Sequence, residues 1–458
     1  MENQPVKGST PSNPRRKVRS KMQIFQEVYL PFLIFAVALV LLFGIIALLV
    51  RGHNQPVDPT HDSNQSAQLQ QEADALLKQA AELALRYDYD GALAVLQAFQ
   101  GDLEQFPALE DAIAYYTATK QSMVTWTAAQ VPNLSFHVLV EDLDAALADP
   151  TYGQKGNDLY NRNFLTTKEF TAILEQLHES GYVLVQLSDL YTYEGGRYQE
   201  KPLQLPIGKK PIMITETHCN YYSYMVDPNR DGQPDSNGAG FASKLRWNNG
   251  FYNEMVRSDG SVVNGAFDLV PLLENFIQLH PDFSYQGARA ILAFSGYDGV
   301  FGYRITSEEL SDEALTAERR EATALARRLR EAGYVIACYT YSNTDYSVRN
   351  ANEIKEDIAL WQELVAPVVG ETDILVFARE ADIGTSYQNN KKFDALYDQG
   401  YRFFLGSTPF LSQELHDGYV RHSRLSVTAS ALQHHSQWFD GIVATKNLLD
   451  ARRGDIPQ

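Results

Sequence analysis

Between Asp227 and Asp235 the chain places oxygen-bearing side chains at alternate positions: Asp227, Asn229, Asp231 and, beyond Gly232, Asp235. That spacing is the front of a calcium loop, in which alternate oxygens face the ion and a glycine makes the sharp turn. Gly238 stands at the twelfth position, where a bidentate glutamate belongs. Asn, Asp and Gly also form plain acidic turns, and the ordinary acidic loop is the favoured reading over calcium. The two cysteines, Cys219 and Cys338, are too few for a disulfide-dense scaffold or for paired CxxC zinc motifs. The sequence contains no Walker A, HExxH or GxSxG pattern and no GxGxxG following a strand, so nucleotide and serine-hydrolase chemistry has no support. The Glu- and Arg-dense stretch Ser311–Arg330 reads as a solvated helix face with i,i+4 pairs.

These groups need elements to position them. The chain has 458 residues, 44% hydrophobic and 21% charged, a globular composition. Its formal net charge of −18 excludes nucleic acid as a partner, because phosphate binding needs clustered Lys and Arg. Residues 28–50 carry no charge and would span roughly 34 Å as a helix, enough to cross a bilayer. The basic flank in residues 1–27, with Arg15, Arg16, Lys17 and Arg19, should stay in the cytoplasm and leave the remainder outside. A single-pass protein of the cell membrane is expected, anchored through residues 28–50, with an extracellular C-terminal domain. Residues 51–66 read as a polar linker. Residues 67–130 show helical spacing (Leu76, Leu77, Ala80, Leu83, Ala84) and read as a helical stalk or small bundle. From 131 to 458, short β-rich runs alternate with helices. The runs are Phe136–Val140, Val183–Leu187, Ile212–Thr215, Ala290–Phe294, Val335–Thr340, Ile374–Phe377 and Phe403–Leu405. This alternation predicts an α/β fold with a parallel sheet, barrel-like at this length, with its chemistry at the C-terminal strand ends.

Several segments of this domain carry a resemblance. They are Phe136–Asp142 (FHVLVED), Tyr160–Phe170, Gly181–Leu190, Asn220–Met225, Pro281–Arg304, Gly370–Ile374 and Asp398–Phe404. In order and spacing they resemble the polysaccharide deacetylase family (NodB homology, carbohydrate esterase 4), in its membrane-anchored Gram-positive form. The resemblance implies a distorted (β/α) barrel and a divalent metal held by one Asp and two His beside a second Asp acting as base. Here Thr217 falls at the base position and His218 at the first ligand position, while Tyr339 and Asn343 fall at the two histidine positions. A threonine hydroxyl is no base near neutral pH, and neither Tyr nor Asn is a usual zinc ligand. The third motif corresponds loosely to Phe377-Ala378-Arg379-Glu380, and His434 and His435 are distant candidates for a late histidine. The zinc-type site is therefore expected to be lost, leaving a pseudoenzyme.

On that fold, Tyr221, Tyr222, Tyr297, Tyr303 and Tyr341, with Tyr224, would surround the altered site. Sugar rings stack on such faces, making these residues candidates for binding a cell-wall polysaccharide; the same rings serve equally as core. Cys219 and Cys338 each border an altered motif. A disulfide between them would stabilise by roughly 4–5 kcal/mol in the chain-entropy model. Period-2 geometry points them away from the site, which favours two free buried thiols. Two functions follow: non-catalytic glycan binding or scaffolding at the wall, or an active carbohydrate deacetylase with a rearranged site that recruits His218, Glu216 or Asp298.

Overall fold

Seven short parallel strands, all but one of their connections running through helices, close into a ring that buries one face of each strand inside and the other under the helices. The computed structural model describes residues 62–149, 151–153, 158–227, 240–257 and 260–458. The chain divides into two units, Met1–Leu69 and Gln70–Gln458. Of the first, only residues 62–69 are described, the opening of the helix Asp62–Leu85. The segment 28–50, the tail 1–27, linker residues 51–61, and Asn229, Asp231 and Asp235 of the calcium-type loop lie outside the described residues. Among the described residues, no helix is long and apolar enough to cross a membrane.

The barrel strands are β1 (Asn133–His137), β2 (Lys210–Thr217), β3 (Ile291–Phe294), β4 (Val335–Cys338), β5 (Ile374–Val376), β6 (Phe403–Ser407) and β7 (Val420–Ser426). All neighbours pair in parallel, in the order β3-β4-β5-β6-β7-β1-β2, and β2 pairs again with β3 to close the ring. A short strand, Tyr182–Leu184, pairs with the first half of β2 and bridges to Ser284, wedging the barrel open at its N-terminal end. The (β/α) barrel expected from the sequence is thus the observed architecture. β7 has no counterpart among the expected runs.

Strand parity decides what each residue sees. Leu134, Phe136, Ile214, Leu292, Phe294, Ile336, Leu375 and Phe404 point outward and join the main core under the helices. Met213, Ile291, Ala293, Ala337, Val376, Leu405 and Val420 point inward and form a second, interior cluster. The interior also holds buried Asn133, Ser135, Thr215, Thr217, His422 and Arg424, tied by bonds such as Thr215 Oγ1 to Asn133 Oδ1 at 2.8 Å.

The outer helices form for local reasons. Thr167–Glu179 begins with a capping box in which Thr166 and Glu169 satisfy each other's backbone N–H. Asp312–Ala332 buries Ala322, Leu325, Ala326 and Leu329, one face at helical spacing. It ends at Gly333, whose φ of 104° and whose missing Cβ, which would sit 2.4 Å from Gly287 O, both demand glycine. The helices Tyr89–Gln97 and Pro107–Gln121 follow Asp62–Leu85, and Tyr87 anchors this group by donating to Asp282 O at 2.6 Å. Residues Val124–Trp126 pair with Leu203–Leu205, so the end of the expected stalk belongs to the barrel's base. None of the helical region lines the cavity described next.

Candidate functional site

The C-terminal ends of the strands open into a cavity of about 710 Å³. β1 delivers His137, β2 delivers His218, and Tyr339 follows β4. Arg379 and Glu380 follow β5, and Ser426 ends β7. Several non-glycine residues after the barrel strands hold positive φ, among them His218 (65°), Asp298 (60°), Thr340 (59°), Asn343 (49°), Arg379 (56°) and Glu380 (59°). Left-handed backbone costs such residues of order 1–3 kcal/mol, and it clusters where side chains must be aimed at a site. The turn after β4 is held from below by Asp357, which accepts from Tyr341 N (2.7 Å), Ser342 N (2.9 Å) and Tyr346 OH (2.6 Å).

On the floor, two imidazoles meet. His137 Nδ1 lies 3.2 Å from His218 Nδ1. Thr217 Oγ1 is 2.8 Å from the first and 3.3 Å from the second. Burial lowers His137 to about 4, with Glu380 pulling it back up and Arg424 pushing further down. Burial also holds His218 well below the ordinary range, helped by His137, Arg379 and Arg424. Both rings are therefore neutral at pH 7, and one can donate to the other. Glu380 accepts from Ser426 Oγ and, at 3.4 Å, from Ser407 Oγ.

The walls are aromatic. Tyr222 stacks on Tyr224 (5.4 Å, 14° between planes) and Tyr297 tilts against Tyr222 at 5.6 Å. Trp438, also in the lining, stacks on His435 at 4.1 Å. Tyr297 is half exposed (52%). Of the expected glycan-binding tyrosines, Tyr222 and Tyr297 line the cavity and Tyr221, Tyr303 and Tyr341 do not. Tyr221, turned back by its own φ of 51°, is buried and accepts from Asn253 at 3.1 Å. The face of Tyr303 is covered by Lys244 at 4.3 Å. Tyr341 packs onto Gly296, where a Cβ would collide with its ring.

His218, Tyr339 and Asn343 all line the cavity, with Thr217 buried directly beneath. The described residues do not fit an Asp-His-His metal set: no three His, Cys, Asp or Glu side chains among them converge on one point. The rearranged site loses two of its proposed recruits. Asp298 is engaged by Ser223 N and by Arg304 at 3.5 Å and does not line the cavity. Glu216 has outward parity on β2, so it lies behind the site, fully buried beside Asp268. Cys219 and Cys338 are free and buried, not bridged. Cys219 faces Glu216 O at 3.7 Å, while Cys338 joins the outer core and meets Tyr401.

Burial, and then the neighbouring Asp268, push the Glu216 carboxyl well above the ordinary carboxylate range. Above about pH 4 the unfolded chain loses that proton while the folded protein keeps it, so stability falls as pH rises. Glu216→Gln should therefore stabilise the protein by about 1–3 kcal/mol near pH 8, with the gain vanishing towards pH 4. Thermal melts of both proteins across that range test this; an equal difference at every pH contradicts it.

Sequence reasoning missed His137, Arg162, Arg424 and Trp438. Only His137 carried a signal, as a histidine one residue beyond an outward-facing Phe on a strand. No protein-family model matches the chain, and no curated protein matches it. Two solved structures match the chain in a structural comparison. A de-N-acetylase from Aggregatibacter actinomycetemcomitans is 12% identical over 65% of this chain and 95% of its own, with a TM-score of 0.35. The Streptococcus pyogenes deacetylase PplD, solved in complex with acetate, is 10% identical over 68% of this chain and 98% of its own, with a TM-score of 0.33. Similarity at this level carries neither an activity nor a substrate.

Proposed function

We propose that the barrel mouth binds a carbohydrate, and that the chain acts as a glycan-binding or scaffolding protein rather than as a metal-dependent deacetylase. The observation that carries this is the pairing of aromatic rings, the exposed Tyr297 and the half-buried Trp438, with polar groups around one open cavity. Tyr297 and Trp438 both line the cavity and offer ring faces, and Glu380, Asn343, Ser426 and the two histidines offer hydrogen bonds. Sugars need this combination, an apolar face for the ring and polar groups for its hydroxyls. The apolar segment 28–50 and the basic residues before it support a membrane-anchored protein with this domain outside, where a cell-wall polysaccharide is the natural partner.

The His137–His218 contact favours one second reading. Two neutral imidazoles 3.2 Å apart, beside Glu380, could exchange a proton with a bound substrate, which is what a rearranged deacetylase would require. Both readings meet the same experiment. The full-length protein is incubated with N-acetylated peptidoglycan and with chitin oligomers, and both retention and acetate release are measured, with zinc or EDTA added. Saturable retention without acetate is the expected result. Acetate release that His218→Ala abolishes would overturn the non-catalytic reading.

A further inference from the structure

Arg424 is a charge out of place. It sits inside the barrel on β7, 1% exposed. Its guanidinium donates to Phe377 O (2.7 Å), Ser135 Oγ (2.9 Å) and Leu405 O (3.3 Å), all neutral acceptors. Among the described residues no carboxylate forms an ion pair with it. A buried charge without a counter-ion costs several kcal/mol. Burial does most to depress the two histidines on the cavity floor; Arg424 adds to it at both, and at His137 the larger opposite pull of Glu380 works against it.

Two other guanidinium groups line the cavity itself. Arg162 gives Nε to Asn163 Oδ1 at 3.4 Å, and the exposed Arg379 gives Nε to Asn343 O at 3.1 Å. Neither forms an ion pair among the described residues. Against the two arginines of the lining, with Arg424 buried behind it, the lining offers one side-chain carboxylate, Glu380, which accepts from Ser407 and Ser426. In a chain with a formal net charge of −18, this is a concave positive island. Concave low-dielectric walls focus such a field on whatever enters, and Arg suits carboxylate and phosphate oxygens through its planar fork of donors.

Resting on the carbohydrate reading above, we propose that the cavity is specific for an anionic sugar, one bearing a carboxylate or phosphate. The ring stacks on the aromatic wall while the acid group lies between Arg162 and Arg379, above the buried Arg424.

The test is calorimetric titration of the full-length protein with trigalacturonate and, separately, with chitotriose. Trigalacturonate should bind at least about tenfold more tightly at about 50 mM salt, with the advantage shrinking at about 500 mM. Arg379→Gln and Arg162→Gln should each lower trigalacturonate affinity by about tenfold while leaving the melting temperature unchanged. Arg424→Met probes the buried charge, but the two rim variants decide the matter if it fails to fold. Competition by inorganic phosphate would support the anion preference and assign it to the acid group alone. Equal or tighter binding of chitotriose, indifferent to salt and to Arg379→Gln, would overturn the anion preference and leave the carbohydrate reading in place. No binding of either oligomer would overturn both.

Discussion

Arg453→Met should destabilise the protein by about 3–5 kcal/mol, the loss expected when one partner of a buried ion pair is removed. Arg453 is 4% exposed and Glu169 is 2% exposed. They form a two-pronged contact, Nε to Oε1 at 2.8 Å and Nη2 to Oε2 at 2.7 Å. The same guanidinium donates to Phe164 O at 2.8 Å and Asn161 O at 3.1 Å. Glu169 also accepts from Thr166 N and Asp450 N, both at 2.7 Å. The pair thus ties residues 450–453 to the helix Thr167–Glu179 and to the Arg162-bearing helix Leu159–Asn163. Removing Arg453 strands a carboxylate in the interior. Adding Glu169→Gln to Arg453→Met should recover part of the loss, because a neutral amide still accepts one N–H and no buried charge remains. Urea unfolding with an unchanged m-value measures it. A double variant no more stable than Arg453→Met would mean that the packing of the guanidinium, not its charge, is what counts.

Tyr297→Ala combined with Trp438→Ala should weaken carbohydrate binding by about a hundredfold, near 2.7 kcal/mol, with each single change giving about tenfold. The two rings stand on different elements, Tyr297 after β3 and Trp438 in the turn Ser436–Phe439, with no contact between them among the described residues. Their effects should therefore add. Tyr297 is half exposed, so its loss should leave the melting temperature alone. Trp438 packs partly against the core, and Trp438→Phe, which keeps a stacking face, controls for that. Unchanged affinity in the double variant would remove the stacking wall from the binding site.

The barrel was legible because six of its seven strands contain apolar runs bounded by turn residues. β7 was not. Of its inward positions, Val420, His422, Arg424 and Ser426, only the first is apolar, so Val420–Ser426 shows no apolar run, although its pairing with β6 and β1 makes it a full member of the ring. His137 was hidden by a shift of register. The apolar run suggests a strand from Phe136 to Val140, whereas pairing stops at His137. Val138, Leu139 and Val140 are buried without joining the barrel, their backbone taken up by Asp268 and Leu165 (Leu139 N to Asp268 Oδ1 2.8 Å, Val140 N to Leu165 O 2.8 Å). That shift moved the histidine from strand end to strand interior, and the site lost its second imidazole.

Similar logic separates the tyrosines. Tyr221 and Tyr222 are neighbours of one type, and only the positive φ of His218 and Tyr221 sends one ring back towards Asn253 and the other to the cavity wall. Periodicity and residue type alone determined that this is an alternating α/β chain with a helical segment before it, while the resemblance to the deacetylase family singled out His218, Tyr339 and Asn343 at strand ends. Closure of the sheet decided the rest. It turned alternate residues into an inside and an outside, brought His137 onto His218 from strands about 80 positions apart, put Glu216 behind the site and left Arg424 beneath it. Such placement depends on long-range pairing and register, and no local pattern of residues encodes either.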